Sequence, residues 1–181
     1  RYPLARVAAN APLQLRLRAV PGAPGARAGD VVYRFPLQRA QVRVGQPPEG
    51  RFSHVDAENR QAIDFAVPVG TPVLAAREGT VMQAEGRYAD TTGRLDEANF
   101  VRILHADGSM AVYAHLQRGS LDVATGQCVQ AGQVLARSGN SGFSNGPHLH
   151  FAVQVNRGLR LESVPFRMAG EQGELRLPRR P

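Results

Sequence analysis

The sequence predicts a mainly β fold, and three features carry that expectation. Glycine (19) and proline (13) are frequent enough in 181 residues to supply tight turns throughout. Short apolar runs rich in β-branched residues recur, separated by turn-forming clusters at the short spacing of an all-β domain. Several of these runs alternate apolar and polar residues, the period of a half-buried strand.

The elements follow in order. Residues 1–49 read as an N-terminal β extension: LQLRLRAV (13–20) alternates apolar and basic residues, PGAPGARAGD (21–30) is a loop, and VVYRFPLQRAQVRV (31–44) is one or two strands broken at Pro36. Residues 50–166 read as the main unit. Its strand candidates are QAIDFAV (61–67), TPVLAAR (71–77), GTVMQAE (79–85), NFVRILH (99–105), SMAVYAHL (109–116), QVLARSG (133–139) and HLHFAVQV (148–155). Residues 86–98 are polar and strand-poor, a loop insertion of the sort that borders a binding site. Residues 167–181 form an Arg-, Gly- and Pro-rich tail expected to be poorly ordered.

Length fits one domain, with or without an attached extension. Hydrophobic content of 43% and charged content of 20% are ordinary for a globular chain, and no apolar run approaches the roughly 18 residues of a membrane span. The chain begins at Arg1 with no visible leader, which reads as a processed or truncated form, and a monomer is the expected state.

The net charge is +7, and every cationic side chain apart from histidine is arginine. Without lysine there is no P-loop lysine, no Schiff base and no biotinyl or lipoyl attachment, although the VQAGQVLA turn (129–136) resembles a carrier-domain turn. The basic balance suggests an anionic partner such as cell-wall polymer, lipid headgroup or nucleic acid. The arginines are scattered with no aromatic-basic module, so nucleic acid is not the expected partner. Cys128 is the single cysteine, which excludes an intrachain disulfide and a cysteine-cluster metal site, and it reads as a small buried hydrophobe.

The chemistry concentrates in SNGPHLHF (144–151). His148 and His150 lie two apart in a strand-like run, so both imidazoles face one space while Leu149, Phe151, Val153 and Val155 face the core. Two histidines aimed at one point form half of a metal site. Asp64, in an apolar strand, needs a cation partner, either a metal or an arginine such as Arg60. The remaining histidines are His54, His105 and His115. His105, at a strand end before the ADG turn, reads as structural. Tyr113 stands on the same strand face as His115, either in the cleft or in packing. The run Gly142-Phe-Ser-Asn-Gly146 matches a G-x-S-x-G nucleophile pattern, but strand grammar rather than a helix follows it, so a serine hydrolase is not expected. The small residues of 138–146 read instead as a loop that lets a peptide approach.

These pieces together resemble the LytM/lysostaphin-like family of zinc metallopeptidases, over roughly residues 50–156. The resemblance rests on the Asp64 strand with VGTPVLAAREGTV (69–81), on YAHL (113–116), and on GQCVQAGQVLARSGNSGFSNGPHLHF (126–151). It implies a compact antiparallel fold of the barrel-sandwich type. It also implies a Zn2+ ion held by a histidine, Asp64 and His150, with His115 and His148 beside the reacting water. The commonest family pattern puts the first ligand four residues before the aspartate, where this chain has Arg60. His54 is expected to fill that role across a longer loop, as in a longer-spaced variant of the family. The implied function is endopeptidase cleavage of peptidoglycan stem or cross-link peptides in the periplasm or outside the cell. The alternative is a metal-free relative that binds peptidoglycan or activates a separate hydrolase, and Arg60 is the feature in its favour.

Overall fold

The computed structural model describes residues 19–38, 42–170 and 173–175. Its strands are β1 (Val32–Arg34), β2 (Arg43–Gln46), β3 (Ile63–Ala66), β4 (Pro72–Leu74), β5 (Gly79–Glu85), β6 (Phe100–Leu104) and β7 (Met110–Ala114). They continue as β8 (Cys128–Val129), β9 (Val134–Arg137), β10 (His148–Asn156), β11 (Leu161–Ser163), β12 (Arg167–Gly170) and β13 (Gly173–Glu174). The only helical turn among the described residues is a 3-10 segment, Leu95–Glu97. The expected mainly β, antiparallel character is therefore what the chain adopts.

One large sheet runs β2-β3-β10-β7-β6-β5-β8, with β11 also paired to β10. A two-stranded β4-β9 sheet and a three-stranded β1-β12-β13 sheet accompany it. β10 is an interior strand, antiparallel to both β3 and β7. Its Leu149, Phe151, Val153 and Val155 are fully buried, as their alternation requires. Leu149, Phe151 and Val153 pack in one apolar cluster with Ile63 and Phe65 of β3, Val101 and Ile103 of β6, and Val73 and Leu135 from the small sheet. Three aromatic rings, Tyr33, Phe151 and Phe166, meet edge to face with centroids 5.1–6.2 Å apart.

Two expectations change. The tail holds β12, which pairs parallel with β1 from Val32↔Arg167 to Arg34↔Ala169. Met168 is its fully buried anchor in the core, so an apolar residue inside a polar, Arg-rich run is enough to fix that strand. Residues 176–181 lie outside the described residues, as does nearly all of the strand expected at 13–20. From the N-terminal segment, β2 pairs with β3 along the edge of the main sheet. Cys128 is exposed rather than buried, because on the edge strand β8 it is Val129 that turns inward.

Tyr113 is wholly buried on the core side, and its hydroxyl accepts a hydrogen bond from the Ala76 amide (2.7 Å). Burial pushes the phenol well above its usual range, so it stays protonated. It is a packing residue and takes no part in the cleft. Tyr113→Phe orphans a buried amide and is expected to cost about 1–3 kcal/mol in urea unfolding, with the histidine cluster unaffected.

Candidate metal centre

The site is built on one row of the large sheet. Asp64 of β3 lies directly opposite His150 of β10, and His150 lies opposite Ala114 of β7. Cross-strand neighbours on one face are within side-chain reach, so register alone brings the carboxylate to the imidazole. Asp64 Oδ1 is 2.9 Å from His150 Nδ1, and Oδ2 accepts from Gln46 Nε2 at 3.1 Å.

His54 arrives from outside the sheet, on the turn-rich segment 47–61 between β2 and β3. That segment is pinned over β10 and β11: the Ser163 amide and hydroxyl both donate to the Ala57 carbonyl (2.7 and 3.0 Å), and Gln154 Nε2 donates to the Glu58 carbonyl (2.9 Å). The result is a His54 ring only 1% exposed, with Nε2 3.2 Å from Asp64 Oδ1. Arg60, at the usual first-ligand position, is exposed. The structure thus brings His54, and not Arg60, to Asp64 and His150.

The hydrogen bonds fix which ring nitrogens face inward. His54 Nδ1 donates to the Pro47 carbonyl (2.9 Å), leaving Nε2 as the lone-pair atom toward Asp64 in the neutral ring. His150 is turned the other way. Asn59 Nδ2 is spent on Asp56, so Asn59 Oδ1 accepts from His150 Nε2 (3.1 Å) and Nδ1 becomes the inward lone pair. Burial pushes the Asp64 carboxyl up, but the His150 and His54 rings outweigh it whenever they carry a proton toward the carboxylate, and then hold it well below the usual carboxylate range. One potential ligand atom from each of His54, Asp64 and His150 lies within 4.8 Å of the others. Three buried acceptors converge with no proton between them in the neutral-ring state, and a cation is what such a set satisfies. These residues could hold a metal ion.

His115 and His148 flank the cluster. His148 Nε2 is 3.7 Å from Asp64 Oδ1, and its Nδ1 donates to the Gly146 carbonyl at 2.8 Å. His115 Nδ1 donates to the Ser141 carbonyl (2.7 Å), and its ring centroid is 4.5 Å from that of His148. Burial first, then the neighbouring His148 and His150 rings, pushes His115 down to about 3. Burial likewise lowers His148, against the pull of the Asp64 charge. Both are neutral imidazoles with Nε2 free, which can accept a proton or, once protonated, donate to a developing oxyanion.

Strand parity would put His115 with Tyr113 in the core. It does not, because β7 ends at Ala114 and His115 adopts φ +62°, in the left-handed region. Histidine visits that region more readily than most residues, though at a cost in strain. The turn is secured by buried Asn99, whose carbonyl accepts from the Leu116 amide and whose Nδ2 donates to the Leu116 carbonyl (3.0 Å). Asn99 also receives Ser141, whose hydroxyl accepts from the Asn99 amide (3.0 Å) and donates to Leu116 (2.8 Å). Gly142 carries φ +75° and sits where a Cβ would come within 2.8 Å of Ala98, so only glycine lets the 138–146 loop close against the insertion.

Sequence reasoning passed over Gln46, Asn59, Asn99 and Ser141, the residues that orient the ligand-type side chains. None carries a motif, and their partners are set by tertiary approach. His105 is buried away from the cluster against the Glu78 carbonyl (2.7 Å) and the Tyr33 ring. Ser144 donates to the Gly146 carbonyl (2.9 Å) within a turn, with no helix after it, so the nucleophile-elbow pattern has no structural counterpart. Beside the cluster opens a cleft of about 370 Å³, bordered by Phe52, Val55, Phe143 and, from the insertion, Leu95.

Comparison with known proteins agrees with this arrangement. Residues 58–161 match the profile described as Peptidase family M23, which begins just after His54. A protein of Haemophilus influenzae named an uncharacterized metalloprotease is 38% identical over 135 residues, covering 73% of this chain and 26% of that protein. A peptidoglycan DD-endopeptidase of Vibrio cholerae, ShyC, is 39% identical over 93 residues, covering 51% of this chain and 19% of that one. The chain thus spans about a quarter of the length of the first relative and about a fifth of the second. A zinc-containing peptidase of Vibrio cholerae has a crystal structure that superposes with TM-score 0.52 at 29% identity, covering 74% of this chain and 39% of that chain. With more than half of its residues inside the family profile, the chain belongs to peptidase family M23.

Proposed function

We propose that this chain is a zinc-dependent endopeptidase that hydrolyses peptide bonds in the stem or cross-link peptides of bacterial peptidoglycan, in the periplasm or outside the cell. The observation that carries the reading is the acceptor-only convergence of His54, Asp64 and His150. Two imidazoles and one carboxylate are a catalytic zinc donor set, with a fourth position left for solvent or substrate. Zinc bound there supplies a Lewis acid that polarises the scissile carbonyl and makes water nucleophilic near neutral pH.

The chain's own residues do the rest. Gln46 and Asn59 hold Asp64 and His150 in their rotamers. His115 and His148, neutral and anchored through Nδ1, take the proton of the attacking water and offer N–H to the charge that develops on the carbonyl oxygen. The open cleft admits an extended peptide. The substrate follows the names of the peptidoglycan DD-endopeptidase relatives, and the location follows from where that substrate lies. No helix among the described residues is long and apolar enough to cross a membrane. The basic charge of +7 suits an anionic wall polymer.

The test is digestion of purified sacculi by the zinc-loaded protein, with mass analysis of the released fragments. Fragments in which one peptide bond has gained a water are expected, along with a zinc content of about one per chain. Zinc near zero that added zinc does not restore, with sacculus binding intact, would establish the metal-free binder instead.

A further inference from the structure

The cleft beside the metal cluster contains a half-buried cation, Arg102, that makes no ion pair among the described residues. Arg102 of β6 projects to the same sheet face as the cluster, since its neighbours Val101 and Ile103 are core residues with no exposure. The registers locate it. The row Asp64–His150–Ala114–Phe100 carries the cluster, and the adjacent row on that face is Ala152–Val112–Arg102–Gln83. Two strands across and two residues along put the Cα atoms of Arg102 and His150 roughly 12 Å apart, from about 4.8 Å per strand and about 3.4 Å per residue. Between them the cleft floor is small and apolar, Val112 and Ala114.

Arg102 is held but not neutralised. One terminal nitrogen donates to Gln83 Oε1 and the other to Gln154 Oε1 (3.3 Å), both uncharged amides. The guanidinium also lies over the Phe100 ring, 5.7 Å from its centroid. Its Nε is buried without any hydrogen-bond partner. Among the described residues, some arginines find a carboxylate within 4.0 Å, as Arg77 does with Asp107 and Arg167 with Glu174; those that do not are exposed to solvent, as Arg34 and Arg118 are, except Arg102, which is half-buried. Two acidic residues also line the cleft. Asp56 is turned to Asn59, and Glu58 acts on Arg102 only through space, from beyond ion-pair distance. A buried charge is ordinarily paired, and a guanidinium with spare N–H groups is a fork shaped for a carboxylate.

We propose that Arg102 is a specificity residue that binds a free carboxylate of the peptide substrate, about one to three residues from the scissile bond. The proposal rests on the endopeptidase reading above and deepens it. Gln83 and Gln154 fix the fork in place, so little side-chain entropy is lost when the carboxylate docks. Two sources share this chemistry, the C-terminal carboxylate of the peptide and a side-chain carboxylate within it.

The experiment uses synthetic cross-linked peptides in which the terminal or the side-chain carboxyl is individually amidated. Each is made in a cleavable form and in a reduced-amide form that cannot be hydrolysed. Binding of the reduced-amide set and kcat/KM of the cleavable set are measured with the zinc-loaded protein, and with Arg102→Met and Arg102→Lys. Amidating the relevant carboxyl is expected to weaken wild-type binding roughly tenfold or more, mainly in KM. The ratio of acid to amide is expected to fall to about 1 in Arg102→Met and to be partly kept in Arg102→Lys. Which amidation has the effect identifies the source. A wild-type ratio near 1 at every carboxyl overturns the proposal, as does an undiminished ratio in a folded Arg102→Met. Should that variant fail to fold, the wild-type ratio and Arg102→Lys decide. Cleavage of all the peptides with equal efficiency removes the subsite and leaves the enzyme standing. Carboxylate-selective binding without cleavage removes the enzyme and leaves the subsite.

Discussion

His54→Ala is expected to yield a protein that loses its zinc on dialysis, while the unaltered chain retains about one ion through the same treatment. The expectation follows from geometry rather than spacing. His54 Nε2 stands 3.2 Å from the Asp64 oxygen that also faces His150, and Pro47 holds the other ring nitrogen. Removing it leaves two protein ligands, too few for a catalytic zinc site. Loss of an outer-shell partner alone costs about 10–100-fold in metal affinity, so loss of a ligand should cost at least about a hundredfold. Asp64→Ala should behave alike, because the same carboxylate oxygen is the hub of the cluster. Thermal unfolding of both variants with and without excess zinc separates a lost ligand from a lost fold: metal should raise the midpoint of the unaltered chain and not of either variant. Full zinc retention by His54→Ala would place the first ligand elsewhere.

Much of this site could be read before folding, and the limits are physical. His148 and His150 announce themselves because a strand has period two, and Asp64 because a carboxylate inside an apolar strand demands a partner. The β character was visible for the same reason, since turn residues and alternation are local signals. His54 was harder. Its ten-residue separation from Asp64 says nothing about distance until Ser163 and Gln154 pull the intervening turns over β10. His115 illustrates a failure of periodicity: alternation assigns it to the side of Tyr113, and one left-handed residue at the end of β7 reverses that. Arg102 is the extreme case. Nothing in NFVRILH distinguishes it from the other arginines, and its position in the cleft exists only once β6, β7 and β10 are in register. The tail failed for the opposite reason. Its composition looks like a loop, yet Met168 finds a buried slot and carries β12 into a parallel pairing that no local pattern encodes.

His115→Ala is expected to separate binding of the metal from turnover. Its Nδ1 is committed to the Ser141 carbonyl, it makes no contact within hydrogen-bond distance of Asp64, and its centroid is 5.8 Å from that of His150. The zinc content should therefore match that of the unaltered chain. Turnover should not survive. Burial and the adjacent imidazoles keep the ring neutral, with a pKa near 3, so at neutral pH it carries a free lone pair toward the cleft. Loss of a positioned proton acceptor and oxyanion donor costs about 10²–10⁴-fold in rate, and the loss should fall on kcat with KM little changed, because the interaction strengthens only as charge develops. The measurement is zinc content together with steady-state cleavage of a cross-linked peptide. A merely structural His115 would give another pattern, a lowered unfolding midpoint with activity falling in proportion to the folded fraction. A positioning role for Asn99 can be read in the same assay. Asn99→Ala removes the bonds from Nδ2 to Leu116 and Tyr88 that hold the His115 turn, and should lower kcat while zinc content stays unchanged. If His115→Ala instead loses the ion, or keeps full activity, the proton-handling role falls on His148 alone.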